Sequence, residues 1–188
     1  MAVKRKKKKQ WIQIVTPKYL GGKELGEILV SQPEDAIGRR IELSAIDVTG
    51  DYNKYYMKMF FVVKSVKNSK AYLEFDGSEC TRDYIARMVL RRVTRIDSIQ
   101  DLETKDKTKL RVKSIAVIYG RVTKDIKKKV RKRVSELIEK FVTNSTLEDV
   151  VKNVLNDSWK NKIMKECKKL YPLRYFEFRK IEVRRNSQ

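Results

Sequence analysis

The chain has 188 residues, with 45 lysines and arginines against 24 aspartates and glutamates and no histidine, for a formal net charge of +21. That length reads as one domain with or without extensions, and a hydrophobic content of 41% is enough to bury a core, which excludes a disordered polybasic tail. An excess of positive charge this large favours polyanionic partners, nucleic acid first and an anionic membrane second. The lack of histidine excludes Ser-His and Cys-His nucleophile pairs, histidine proton shuttles and histidine metal sites.

Cys80 and Cys167 are not in a CxxC arrangement, and two thiols alone cannot close a zinc site. They read as ordinary reduced thiols of a cytosolic chain, and neither a metal nor another cofactor is expected. The longest apolar run, residues 59–63, is far short of the roughly 20 residues of a spanning helix. The basic start resembles the first part of a signal peptide, but the apolar stretch behind it, residues 11–15, ends at Thr16-Pro17 and is too short to complete one. A soluble protein without membrane association is the expectation.

Taken in order, residues 1–10 form a basic arm. Lys4, Arg5, Lys6, Lys7, Lys8 and Lys9 are consecutive cations that repel one another, so the arm is expected to stay disordered until an anion neutralises it. Residues 11–15 predict a short strand, and Gly21-Gly22 and Gly26 predict a loop, with a further turn at Ser31-Gln32-Pro33. A strand is predicted from Arg40 as far as Val48, closed by Thr49-Gly50-Asp51, and another over residues 55–66. A turn at Lys67-Asn68-Ser69-Lys70 leads to a strand over residues 71–75, closed by Asp76-Gly77.

Thr81 and Asp83 have the character of a helix cap and an acidic first turn, with Tyr84, Ile85, Met88 and Val89 at helical spacing. Residues 94–103 and 110–119 predict a hairpin with a charged tip at 104–108, and Gly120 ends the β-rich section. Ile126, Val130, Val134, Leu137, Ile138, Phe141 and Val142 recur every three to four residues, the strongest helical signal in the chain. Thr146 and Asp157-Ser158 read as caps of two shorter helices, with Leu170 among their apolar positions and Tyr171-Pro172 as the stop. A late strand over 174–184 alternates, with Tyr175, Glu177, Arg179, Ile181 and Val183 on one face and Phe176, Phe178 and Lys180 on the other. The order implies an α+β domain over 11–188, in which a helical block at about 124–170 packs on an antiparallel sheet able to curl into a barrel and the last strand rejoins that sheet.

No phosphate-binding glycine loop, dinucleotide fingerprint or nucleophile elbow is present. A carboxylate-metal nuclease needs only acids, but Asp35, Asp47, Asp76, Asp83 and Asp97 each read as a turn former, cap or arginine partner, and no catalytic residue is assigned. The cations are more informative, because each one that meets a phosphate releases condensed counterions and so gives affinity without reading sequence. Three sets stand out: the arm; Arg82, Arg87, Arg91, Arg92 and Arg95; and the helix start with Lys127, Lys128, Arg131 and Lys132. Between residues 121 and 140 there are nine basic and three acidic side chains. Trp11, directly behind the arm, is a candidate for stacking on an unpaired base, with a place in the core as the alternative.

Several stretches resemble a known family. Gly38-Arg39-Arg40-Ile41-Glu42-Leu43-Ser44, then Asp47-Val48-Thr49-Gly50-Asp51, then Cys80-Thr81-Arg82-Asp83 with Met88-Val89 and Thr94-Arg95-Ile96-Asp97, are similar in order to blocks of the archaeal and eukaryotic small-subunit ribosomal protein family S-one-e, also called S-three-A-e. Cys167-Lys168-Lys169-Leu170-Tyr171-Pro172-Leu173-Arg174 and Arg179-Lys180-Ile181-Glu182-Val183 resemble its C-terminal block. The resemblance extends over about residues 11–184, and the chain length suggests an archaeal member. It implies an antiparallel β-barrel flanked by α-helices. It also implies a structural, non-catalytic place in the cytoplasmic 30S subunit, on the platform near the mRNA exit and the 3′ end of the 16S-type rRNA. The partners it implies are that rRNA and neighbouring small-subunit ribosomal proteins, with mRNA nearby. Two positions depart from the pattern: Cys80 stands where leucine is usual, and Lys107 where glycine often follows the aspartate of the hairpin tip. A free RNA-binding translation regulator, and more remotely the nuclease, remain as competing functions.

Overall fold

The structure is a computed structural model that describes residues 9–185; the disorder expected of the arm falls, for residues 1–8, outside the described residues. The chain separates into two compact units, Met1–Asp76 and Gly77–Gln188.

In the first unit, β1 (Gln10–Val15) buries Ile12 and Ile14 and leaves Trp11 exposed, as period-2 alternation requires. β2 (Glu24–Val30) lies antiparallel to it, where the glycine content predicts a loop. The register slips between Gln13 and Val15, and Gly26 sits in β2 with φ 109°. A bulge built on this glycine lets the strand continue through a backbone conformation that an L side chain resists. β3 (Arg40–Ser44) pairs with β4 (Met57–Lys67), but it does not run on to Val48. The Ser44 hydroxyl accepts the Ile46 N–H at 3.3 Å and starts α1 (Ala45–Thr49), which Gly50 closes at φ 80°. Asn68 and Ser69, at φ 50° and 57°, form the tight turn from β4 into β5 (Lys70–Cys80). Phe61 and Phe75 meet edge to face at 6.1 Å in the core, where Met59, Ile12 and Val30 are also buried.

β5 does not close at Asp76-Gly77. It continues into the second unit, where Gly77, Ser78 and Glu79 pair with Glu182, Ile181 and Lys180. Gly77 is there for closeness and not for a turn, since a Cβ at this position would lie 2.5 Å from the Ile181 carbonyl oxygen. α2 (Arg82–Met88) follows, then β6 (Val93–Glu103) and β7 (Lys109–Tyr119), whose ladder runs unbroken from Val93↔Tyr119 to Glu103↔Lys109. At the hairpin tip Lys107 adopts φ 60° and donates its N–H to the Thr104 carbonyl at 2.9 Å, so it holds the left-handed geometry that glycine would take without strain. α3 (Lys124–Thr143), α4 (Leu147–Leu155) and α5 (Ser158–Lys168) realise the helical block, and a reciprocal Thr146–Asp149 capping box starts α4. Leu170 does not share their core; it is exposed beyond α5.

β8 (Leu173–Arg184) returns antiparallel to both β7 and β5. Its register against β7 slips twice, from Val117↔Tyr175 to Ile118↔Leu173 and from Lys113↔Lys180 to Ser114↔Phe178. The unpaired residues are Arg174 and Arg179. The second bulge reverses the alternation expected of this strand, so that Phe176, Phe178 and Ile181 are all buried. On one side of the sheet Met88 of α2 packs with Ile115 and Val117. On the other, Trp159 of α5 stacks on Phe141 at 5.6 Å and leans on Phe178 at 6.4 Å.

The expected barrel is not formed. The strand order is β2-β1-β5-β8-β7-β6, with β4 also on β5 and β3 on β4, and the path stays open. It branches at β5, whose first residues pair with β1 and whose last pair with β8. At the β6 edge the Arg131 guanidinium, not another strand, takes the Asp97 carbonyl at 3.1 Å. Gly77→Ala is expected to cost about 1–3 kcal/mol, because its methyl group meets backbone that cannot move aside without separating β5 from β8. Urea denaturation measures the loss, and an unchanged midpoint would show that the strands are less tightly apposed.

Candidate nucleic-acid interface

Position in the second unit depends on α2, and a buried carboxylate fixes α2. Glu177 of β8 is 3% exposed, accepts the Tyr84 hydroxyl of α2 at 2.9 Å, and forms an ion pair with Lys160 of α5. Burial pushes its carboxyl above the usual carboxylate range, while Lys160 and the two hydrogen bonds pull it down without cancelling the rise. Strand and helices are thereby tied at one point.

Beneath the start of α2 lies a cleft of about 350 Å³ lined by Arg82 and Ile85 of α2, Arg95 of β6, Lys113 of β7, Arg179 and Lys180 of β8, and Glu79 and Cys80 of β5. Five cations face one carboxylate there. Arg179 and Lys180 are consecutive yet line the same cleft, which the bulge at Arg179 makes possible. Several of the cations are already engaged. Lys180 reaches Glu79 at 3.1 Å and Glu182 at 2.9 Å, and Lys113 reaches Glu182 at 3.0 Å. Hydrogen bonding to Glu182, then to Glu79, holds the Lys180 ammonium above its ordinary value. Arg95 sets its fork on the Asp97 carboxylate at 2.8 and 2.9 Å. Among the described residues, no hydrogen bond or ion pair engages the Arg82 or Arg179 guanidinium.

Asp97 also joins two of the basic sets singled out in the sequence. It holds Arg95 on its carboxylate and Arg131 of α3 on its carbonyl. Lys128, Arg131 and Lys132 are exposed on α3 and Lys127 is half-buried. α3 begins with Lys124, Lys127, Lys128 and Lys129 against a single first-turn acid, Asp125. Cations at this end oppose the helix dipole by about 0.3–1 kcal/mol each at low salt, a local conflict that a bound anion relieves. Arg87, Arg91 and Arg92 are exposed at the other end of α2, where Arg87 suits the dipole and Arg92 turns the chain into β6 at φ 62°. Lys9 is exposed; Lys4, Arg5, Lys6, Lys7 and Lys8 lie outside the described residues. Trp11 is 62% exposed opposite Leu29, which removes it from the core.

Period-2 reasoning missed Lys113, Arg179 and Lys180 as members of one site, because the bulge that unites them has no signature in the sequence. The acids fall to structural duties. Asp35 accepts the Gln32 N–H at 3.1 Å, Asp76 pairs with Arg40 at 3.1 Å, and Asp47 and Asp83 lie in first helical turns. Among the described residues no three candidate ligands gather to hold a metal ion. Both cysteines are buried and neither is in a disulfide; the Cys80 thiol donates to the Phe178 carbonyl at 3.3 Å, and burial pushes the Cys167 thiol up to about 11. No helix among the described residues is long and apolar enough to cross a membrane.

Fold and charge together define a mixed α+β protein of strongly basic composition with a cation-lined cleft. The chain belongs to the Ribosomal S3Ae family, whose model matches residues 2–187. Among its relatives are proteins named small ribosomal subunit protein eS1. That of Desulfurococcus amylolyticus is 34% identical over 177 residues, covering 94% of this chain and 83% of the relative. That of Sulfurisphaera tokodaii is 34% identical over 183 residues, covering 97% and 95%. The protein of Methanoculleus marisnigri is 33% identical over 177 residues, covering 94% and 90%.

Lys160→Met should show how α2 is held. A raised carboxyl pKa stabilises the fold below the ordinary carboxylate value, and that contribution is lost as pH rises through the folded value. Without Lys160 the rise is larger, so the variant should approach parental stability near pH 4 and fall behind by about 3 kcal/mol near pH 8. A pH-independent difference in denaturant unfolding would mean that Glu177 does not carry the coupling.

Proposed function

We propose that this protein is a structural constituent of the small ribosomal subunit, an rRNA-binding component of the cytoplasmic ribosome without catalytic activity. We place it on the platform, near the mRNA exit and the 3′ end of the small-subunit rRNA, among neighbouring small-subunit proteins. The family and the name shared by its relatives support the assignment to the subunit. The observation that carries RNA binding is the cleft under α2, in which Arg82 and Arg179 present forked guanidinium groups that the fold itself leaves unengaged. Such forks suit bidentate contact with phosphate oxygens. The arm, Lys4 to Lys9, and the exposed cations of α3 extend the same chemistry, and exposed Trp11 is available for stacking. The acids a nuclease would need serve caps and ion pairs, and nothing favours a free regulator.

Purified protein should bind small-subunit rRNA with an affinity that falls steeply in salt. Arg82→Gln combined with Arg179→Gln should weaken binding and reduce the log–log salt slope by about two, about one for each phosphate no longer neutralised. The melting temperature should hardly move, since neither side chain has an ion-pair partner among the described residues to lose. A flat salt response, or an unchanged slope in the variant, would remove the cleft from the binding surface.

A further inference from the structure

The second unit carries an aromatic and cationic group outside the cleft, at the end of β7 and the start of β8. Tyr119 is 61% exposed and Tyr175 is 40% exposed. Tyr175 stands opposite Val117, two residues before Tyr119, so both tyrosines emerge from the same side of adjacent strands. The Arg174 guanidinium carbon lies 4.8 Å from the Tyr119 ring centre and 5.0 Å from that of Tyr175. The bulge that leaves Arg174 unpaired in the ladder brings it to both rings. Its Nε is buried without a hydrogen-bond partner among the described residues, and the two ring faces give the half-buried Arg174 a cation–π contact. Two large rings kept in solvent and bridged by a half-buried cation make a surface suited to stacking, and one that the fold does not itself cover.

We propose that Tyr119, Arg174 and Tyr175 form a stacking platform for an unpaired RNA base. This rests on the rRNA-binding reading above and adds a preference for single-stranded over duplex segments. Base faces stack on aromatic rings and guanidinium planes without regard to base identity, whereas bases inside an A-form duplex are unavailable to such a platform. The net charge of +21 favours a polyanionic occupant over an apolar protein surface. The same strands carry Lys113 (β7) and Arg179 and Lys180 (β8) in the cleft, so one RNA strand can meet phosphate-binding and base-stacking groups on one unit.

The test compares the full-length parent with Tyr119→Ala/Tyr175→Ala and Tyr119→Phe/Tyr175→Phe variants. The probes are a labelled oligouridylate of about 12 nucleotides, the length scale of one single-strand binding site, and a labelled RNA duplex of the same length. Anisotropy titrations over a range of salt give affinities and slopes, and circular dichroism checks that each variant is folded. The alanine variant should lose about tenfold in single-strand affinity, keep its duplex affinity and keep its salt slope, while the phenylalanine variant matches the parent. Unchanged single-strand binding, or equal losses on both RNAs, would overturn the platform and leave the cleft standing. A parent that binds neither RNA would overturn both readings. An alanine variant that binds both RNAs normally but fails to enter the small subunit would overturn the RNA platform in favour of a protein neighbour at these residues.

Discussion

The second unit is built around β8 and the two places where it falls out of step with β7. An antiparallel ladder with no slip would send Phe178 and Ile181 to opposite faces and separate Arg179 from Lys180. The extra residue at Arg179 returns both apolar side chains to one core and turns two consecutive cations into one cleft. The extra residue at Arg174 sets a guanidinium beside two tyrosines. Burial of Phe176, Phe178 and Ile181, with Phe178 against Trp159 of the helical block, fixes the register. The same register presents the charge, so core packing and the cation-lined cleft have a common physical origin.

A net charge of +21 states an affinity for polyanions without saying where it resides. The structure separates engaged cations from available ones. Arg111 is forked onto Asp101 at 2.6 Å, Arg95 onto Asp97, and Lys113 and Lys180 share Glu182. These pairs keep cations in place on the sheet and hold the strands in register. Arg82 and Arg179 are different, since their position is fixed by α2 and by a bulge while their donors stay open. An RNA phosphate that meets them displaces no internal partner, which is the condition under which counterion release appears in full as binding free energy.

Long, regular patterns were legible from the residues alone. The eleven-pair hairpin of β6 and β7, the apolar stripe of α3 and the Thr146 cap are local signals that tertiary context reinforces. The misreadings share a cause, which is glycine or short polar residues whose role depends on a distant strand. Gly26 marks a bulge inside β2, and Gly77 marks close approach to β8; both look like turns until the partner strand is known. Ser44 converts a strand into α1 through one hydrogen bond to Ile46. Barrel closure cannot be read from strand count, because it depends on whether the β6 edge finds another strand; β6 ends the strand order, and at Asp97 its carbonyl meets Arg131 instead. Among site residues, runs of cations were visible, but Arg174, Lys113 and the pairing of Arg179 with Lys180 were hidden by the same dependence on register.

Arginine-selective modification with phenylglyoxal, read by mass spectrometry on the free protein and on its complex with small-subunit rRNA, reports whether the open guanidinium groups of the cleft meet the RNA. Arg82 and Arg179 should react in the free protein and be protected in the complex, while Arg111, held by Asp101 in both states, should show little change. Equal reactivity of Arg82 and Arg179 with and without RNA would contradict the account, and would place the RNA on another part of the basic surface.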